Sequence, residues 1–385
     1  MQVSAIPAGD QENFSEVARP SDSRRDPDTL RTRLEQWLAT KVPGGTPVVT
    51  EVHEPDANGM SSETILFDAV WDDEHHPLVA RVAPTETAIP VFPSYDLHQQ
   101  FTVMNRLFEL GAAPVPRVYW SEPDPEPLGA PFFVMERAAG RIPPDVMPYN
   151  FGSWVTEGTD ADRTLMERES VAVLGALHAI AEPATTFPFL LSPGCGTSAG
   201  ETFRAHVQAQ RAYYEWTTRT GPRSPLVERG FDWIEQRLPD DPSPAVFCWG
   251  DARIGNIVYD GFRPRAVLDW EMATLGPREM DLGWMVFLHR FFEDIASVAG
   301  LDGLPDFLRI DEAAATYHAL TGHAPIDLPY YVVYAALRHA TIMLRIQTRA
   351  IHFGQAAPPD DPDDMILHRS SLEAMLDDTY WERLR

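Results

Sequence analysis

The stretch Trp249-Gly250-Asp251-Ala252-Arg253-Ile254-Gly255-Asn256 places a carboxylate and a carboxamide five positions apart, and Asp269-Trp270-Glu271 follows thirteen residues after the amide. Transfer of a phosphoryl group from a nucleoside triphosphate needs these residue types. One carboxylate accepts or orients the proton of the attacking hydroxyl; a second carboxylate and a carboxamide hold Mg2+ against the phosphates. Asp251 suits the first role. Asn256 and Asp269 suit the second, because a hard divalent cation takes oxygen ligands. Arg253 either neutralises the transferring phosphate or pairs with a surface carboxylate. Glu271 either adds a carboxylate near the metal or has no part in it. Singly, each Asp or Asn reads as a turn former or helix cap; the conjunction carries the information.

Positioning these groups needs a short strand, a loop and a hairpin. Ala245–Trp249 is strand-like. Ile257–Tyr259 and Ala266–Leu268 flank Asp260-Gly261 as a hairpin, which returns Asp269 beside Asn256. Upstream, Asp26-Pro27 reads as a helix cap followed by proline at the first helical position, and Leu30, Leu34, Trp37 and Leu38 give that helix an apolar face. Short alternating runs from Val48 to Pro84 predict strands, with a turn at Asn58–Ser62. A helix near Leu97–Leu110 and a buried strand at Pro131–Glu136 complete an α+β lobe. After Gly140 the periodicity is mainly helical. The organisation expected is a mobile tail over residues 1–25, a small lobe over 26–136 with a mixed or antiparallel sheet, and a large, mostly helical lobe over 137–385.

The chain has 385 residues and a formal net charge of −26. Such acidity disfavours nucleic acid and anionic membranes as partners. It suits a cationic, aminoglycoside-like acceptor, or simply keeps the protein soluble. No run approaches a membrane span, no signal peptide is evident, and Cys195 and Cys248 lack metal spacing. A cytoplasmic location and no obligatory protein partner are the expectations.

From Gly250 to Glu271 the sequence resembles the H-G-D-x4-N and D-W-E signatures of the aminoglycoside phosphotransferase and choline kinase superfamily. Gly276–Leu282 resembles its G-D-P-x-x-D-L element. Within it, Gly59–Thr64, Leu78–Pro84 and Pro144–Tyr149 are similar to a mycobacterial branch related to kinase-like domains attached to some acyl-CoA dehydrogenases. The resemblance implies a protein-kinase-like two-lobed fold, with ATP or GTP and Mg2+ in the cleft. It implies that Asn58–Ser62, including Ser61 and Ser62, covers the phosphates. Arg81 then stands at the position of the strand lysine and Gln100 at that of its glutamate partner. Met135, Glu136, Arg137 and Ala138 form the hinge that meets the adenine, and Asp281 caps a helix and holds the catalytic loop from behind.

Three departures stand out: Trp249 replaces the signature histidine, Arg81 the lysine and Gln100 the glutamate. An arginine facing a neutral amide is freer to contact phosphate. The reading is a small-molecule kinase whose acceptor is aminoglycoside-like; the alternatives are a hydroxyacyl-CoA or other hydroxylated metabolite as acceptor, and a nucleotide-binding pseudokinase regulator.

Other residues admit two readings each. His75-His76 is a solvated hairpin tip or a metal site. His178 is expected to be a packed histidine. Tyr213, Tyr214 and Trp216 belong to the core or line the acceptor site. Arg338, Arg345, Arg349 and His352 share a helical face that receives an anionic acceptor or pairs with carboxylates.

Overall fold

The computed structural model describes residues 26–53, 62–84 and 89–381. Asp26 accepts a hydrogen bond from the Thr29 N–H and starts helix α1 (Pro27–Lys41), with proline in its first turn. Leu30, Leu34, Trp37 and Leu38 lie buried on one face. That face covers a five-stranded antiparallel sheet of β1 (Val48–His53), β2 (Glu63–Trp71), β3 (Glu74–Val82), β4 (Val118–Glu122) and β5 (Phe132–Glu136), ordered β1-β2-β3-β5-β4.

Strand alternation sorts the sheet into two faces. Leu78, Ala80, Val82, Phe132 and Val134 pack with α1. Val79, Phe133 and Met135 join Val103, Met104 and Leu107 of α2 (Leu97–Leu110) in a second core that continues into the helical lobe. Arg81 shares the parity of Val79, so β3 aims it at the side where the lobes meet.

The helical lobe contains α3 (Asp160–His178), α4 (Ala199–Thr217), α5 (Pro225–Glu235), α6 (Glu279–Ala299), α7 (Ile310–Thr321), α8 (Leu328–His352) and α9 (Arg369–Leu376), counting helices of eight or more residues. Capping boxes at Thr159/Asp162 and Ser198/Glu201 start α3 and α4. Helices α6 and α8 are buried over much of their circumference and pack together at the centre. Two small ribbons hold the segment that carries Asp251, Asn256 and Asp269: β6 (Val246–Cys248) pairs with β9 (Thr274–Gly276), and β7 (Ile257–Asp260) with β8 (Arg263–Val267). The fold is two-lobed α+β, as the sequence implied. No helix among the described residues is long and apolar enough to cross a membrane.

Some local expectations are revised. The β2–β3 tip is Asp72-Asp73, both at positive φ, and His75 and His76 lie within β3. His75 contacts Asp68 at 3.1 Å and His76 stacks on Trp71. The Asn58–Ser61 part of the expected turn, with Ser61, and the 1–25 tail lie outside the described residues.

Candidate active site

The loop after β6 is held from below. Asp281, in the first turn of α6, accepts hydrogen bonds from the Trp249 N–H at 2.7 Å and the Gly250 N–H at 2.8 Å. The expected support from behind is therefore present, although Asp281 does not cap the helix: Arg278 occupies the N-cap position, without a side-chain cap. His178, packed as expected, also bonds Asp281, with Nε2 3.2 Å from Oδ2 and Nδ1 2.7 Å from the Tyr317 hydroxyl. Gly250 has φ +89°, and a Cβ there would collide with the Met272 carbonyl, so this position requires glycine.

Both oxygens of Asp251 are engaged. The Trp284 indole N–H donates to Oδ1 at 2.7 Å. The Asn256 amide donates to Oδ2 at 2.6 Å and Arg253 Nε at 3.1 Å. Arg253 also pairs with Asp145, and these two carboxylates push its pKa up despite burial. The arginine thus ties the loop after β6 to the segment after β5.

The β7–β8 hairpin brings the second carboxylate back, and the Leu268 N–H donates to the Asn256 carbonyl at 2.9 Å. Asp269 follows with φ +60°, a strained conformation for a residue with a side chain. Trp249 explains how it is held: its indole N–H lies 3.0 Å from the Leu268 carbonyl and 3.1 Å from that of Asp269. The tryptophan that replaces the signature histidine therefore clamps the turn beneath Asp269. Burial raises the Asp269 carboxyl above its ordinary range, the Arg81 charge opposing and the Asp251 charge adding. Its Oδ1 is buried without a hydrogen-bond partner.

Arg81 is not free in the way the Gln100 exchange suggested. Its Nη2 lies 3.7 Å from Asp269 Oδ2, and Nη1 donates to Thr64 at 3.3 Å. Gln100 is buried and lines a neighbouring cavity. Ser62 is buried at the start of β2, its hydroxyl unbonded. At the strand end, Met135 pairs with Val79, the Glu136 N–H donates to the Arg117 carbonyl and the Arg137 N–H to Pro77. Arg137 also grips Asp68 through Nη2 at 2.7 Å. Ala138 follows, half-buried.

A cavity of about 480 Å³ adjoins the loop, lined in part by Tyr95, Gln100, Tyr213, Glu271, Met272 and Arg338. Of the expected aromatic cluster, Tyr213 reaches it, and Tyr214 is core, bonded to Glu228. Trp284, Trp249 and Arg338 contact this site in ways the sequence did not reveal; the positions of Trp249 and Trp284 beside and after the signature-like segments were the available signal.

Residues 54–320 match the Phosphotransferase enzyme family. Human acyl-CoA dehydrogenase family member 11 is 28% identical over 211 residues, covering 53% of this chain and 24% of that protein. The chain thus spans about a quarter of that relative's length. The crystal structure of a Ralstonia eutropha protein assigned as an aminoglycoside phosphotransferase superposes with TM-score 0.65 at 23% identity, covering 91% of this chain and 98% of the other. Aminoglycoside phosphotransferase APH(4)-Ia, in ternary complex with AMP-PNP and hygromycin B, gives TM-score 0.56 at 17% identity, covering 90% and 98%. These two likenesses concern the fold. The family match covers most of the chain, and the chain belongs to the phosphotransferase enzyme family.

Proposed function

We propose that the chain transfers the γ-phosphoryl group of ATP, or of GTP, to a hydroxyl of a small molecule. Residues 26–136 serve as the nucleotide lobe and 137–385 carry catalysis and acceptor binding. The observation that carries this reading is the convergence of Asp251, Asn256 and Asp269, with Arg81 at 3.7 Å from Asp269.

The residues present suit Mg2+. Asp269 offers a buried, unpartnered Oδ1. Asn256 has committed its nitrogen to Asp251, so its carbonyl oxygen remains to be offered. Two hard oxygen donors are what such an ion takes. Mg2+ bound there would supply charge neutralisation at the β- and γ-phosphates.

In the reaction, the acceptor oxygen bonds to the γ-phosphorus as the β–γ bridging bond breaks. The nucleoside diphosphate leaves with that electron pair, and the acceptor proton passes to Asp251. Trp284 and Asn256 fix the carboxylate's orientation before substrate arrives, so that catalysis is mainly positioning and electrostatics. Arg81 exchanges Asp269 for phosphate oxygens, which its planar fork suits. Ser61 and Ser62 cover the phosphates, while Met135, Glu136 and Ala138 meet the base. With the Glu136 and Arg137 N–H groups already bonded, the Ala138 N–H and the carbonyls are what the hinge has to offer. Arg253 acts on Asp251 and Asp145 more directly than on phosphate.

An aminoglycoside-like acceptor is supported by the solved neighbours and the acidity of the chain. A hydroxyacyl thioester is supported by the acyl-CoA dehydrogenase relatives. The test is a screen for acceptor-dependent ADP release with wild type and Asp251→Ala. Turnover should fall by several orders of magnitude while nucleotide affinity stays within a few-fold. Near-normal turnover of the variant would remove Asp251 as the base; nucleotide binding with no turnover on any acceptor would favour a pseudokinase.

A further inference from the structure

Arg338 is anomalous in this protein. The chain has 57 acidic and 31 basic residues other than histidine, and exposed arginines collect carboxylates readily: Arg223 pairs with Glu215 and Glu228, and Arg369 with Asp361, Asp364 and Glu373. Arg338 is 2% exposed. Nη2 donates to the Gly250 carbonyl at 3.2 Å, and the guanidinium lies 4.3 Å over the Trp284 ring. Its Nε is buried with no hydrogen-bond partner. No carboxylate oxygen of a described residue comes within 4.0 Å of it. Burial lowers its pKa, and the Asp251 and Asp281 carboxylates oppose that only through space, so the guanidinium keeps its capacity for a direct ion pair.

The guanidinium forms part of the wall of the 480 Å³ cavity, a size suited to a small molecule. Arg338 is bonded to the residue before Asp251, and stacks on the indole that holds Asp251. That end of the cavity therefore lies beside the base. His206, also in the wall, bonds the Tyr334 hydroxyl at 2.6 Å and is kept neutral by burial and by the Arg338 charge. Asp96 is engaged as the cap of α2, and Glu271, the wall's other carboxylate, acts on Tyr95 and Tyr213. Gln99, Gln210 and Tyr213 are uncharged hydrogen-bonding groups suited to hydroxyls. Two turns along the same face of α8, Arg345 repeats the pattern: it bonds the Pro90 carbonyl and Thr220 and stacks 4.3 Å over Trp216, again with no carboxylate of a described residue within 4.0 Å. At this end of the cavity a polycationic acceptor would add positive charge beside Arg338, which has no directly bonded carboxylate among the described residues.

We propose that this cavity is the acceptor site and that the acceptor is a hydroxylated anion, its carboxylate or phosphate seated on Arg338 and its hydroxyl turned toward Asp251. The assignment rests on the phosphotransferase reading and narrows it to one class of acceptor. The new ester bond forms at the hydroxyl, and the anionic group is unchanged by the reaction.

The test is thermal unfolding in saturating Mg-ADP, titrated with sodium acetate, inorganic phosphate or choline at constant ionic strength, on wild type, Arg338→Met and Arg338→Lys. Saturable stabilisation by acetate or phosphate is expected, with the apparent dissociation constant at least ten-fold weaker in Arg338→Met and intermediate in Arg338→Lys. Acetate alone points to a carboxylate group, phosphate alone to a phosphate ester. Three results overturn the proposal: neither anion stabilises the wild type, choline stabilises in their place, or the response is the same in Arg338→Met. A phosphate response that survives the substitution reports the vacant γ-phosphate position and counts against Arg338. Should Arg338→Met fail to fold, an unchanged response in Arg338→Lys is the overturning result. Calorimetry of Mg-ATP separates the two failures, because loss of nucleotide binding sinks the phosphotransferase reading, whereas intact nucleotide binding without an anion response sinks only this one.

Discussion

Replacing Asp281 by alanine should unfasten the loop after β6 without touching any proposed substrate ligand. The carboxylate accepts from two buried backbone amides, at 2.7 and 2.8 Å, and from the His178 imidazole at 3.2 Å. A buried donor left without an acceptor costs about 1–3 kcal/mol. With partial relaxation of the loop, the three donors together put Asp281→Ala at about 3–6 kcal/mol, a large part of the roughly 5–15 kcal/mol that holds a typical domain together. Asp281→Asn keeps the shape and one acceptor oxygen but points an N–H2 at a donor, so its cost should be about half as large. The assay is urea unfolding followed by tryptophan fluorescence, with Mg-ATP affinity measured on each folded variant. The expected order is wild type, then Asn, then Ala, in both stability and affinity. A loss under about 1 kcal/mol for Asp281→Ala would refute the reasoning, because the loop amides would then have another acceptor.

Trp284→Phe removes the N–H that holds Asp251 Oδ1 while keeping most of the buried ring. Loss of a hydrogen bond to a charged group predicts about 1.5–3 kcal/mol in unfolding free energy, with slower ADP release and little change in nucleotide affinity; unchanged turnover would dismiss Trp284 as a positioning residue. Histidines set a pH dependence. Burial pushes His289 down to about 3 and His368 to about 4, and holds His206 and His339 well below the ordinary value. Between pH 6.5 and those values the unfolded chain binds more protons, so their stabilising contribution is full above 6.5 and is lost as pH falls. Each contributes a slope of up to about 1.4 kcal/mol per pH unit. Urea midpoints should therefore drop from pH 6.5 to 5.5; a flat profile would mean these rings are not buried and neutral. Gly250→Ala should destroy the loop geometry, since the Met272 carbonyl occupies the space; an active, stable variant would contradict the positive φ at that turn.

The order of strand, loop and hairpin was legible because it is local. The D-x4-N spacing, the Asp260-Gly261 turn and the carboxylate after the hairpin all lie within twenty-one residues of chain, from Trp249 to Asp269. What sequence did not reveal depends on contacts between distant segments. Trp284 reaches Asp251 from thirty-three residues away, and Arg338 reaches Gly250 from eighty-eight. His178 was expected to pack, and it does, but its bond to Asp281 spans one hundred and three residues. β4 escaped notice because Val118, Tyr119 and Trp120 do not alternate with polar neighbours, and β9 is only three residues long. Arg81 was expected beside a neutral amide, whereas the fold turns it to Asp269.

The central claim is a nucleotide cleft that works with a metal at Asn256 and Asp269. The most direct measurement is calorimetry of ATP and GTP, with and without Mg2+, on wild type and Asp269→Asn. Binding by the wild type should require Mg2+, and the substitution should weaken it about ten-fold or more, roughly 1.4 kcal/mol. No binding of either nucleotide by folded wild type, or binding that ignores both Mg2+ and the substitution, would contradict the account.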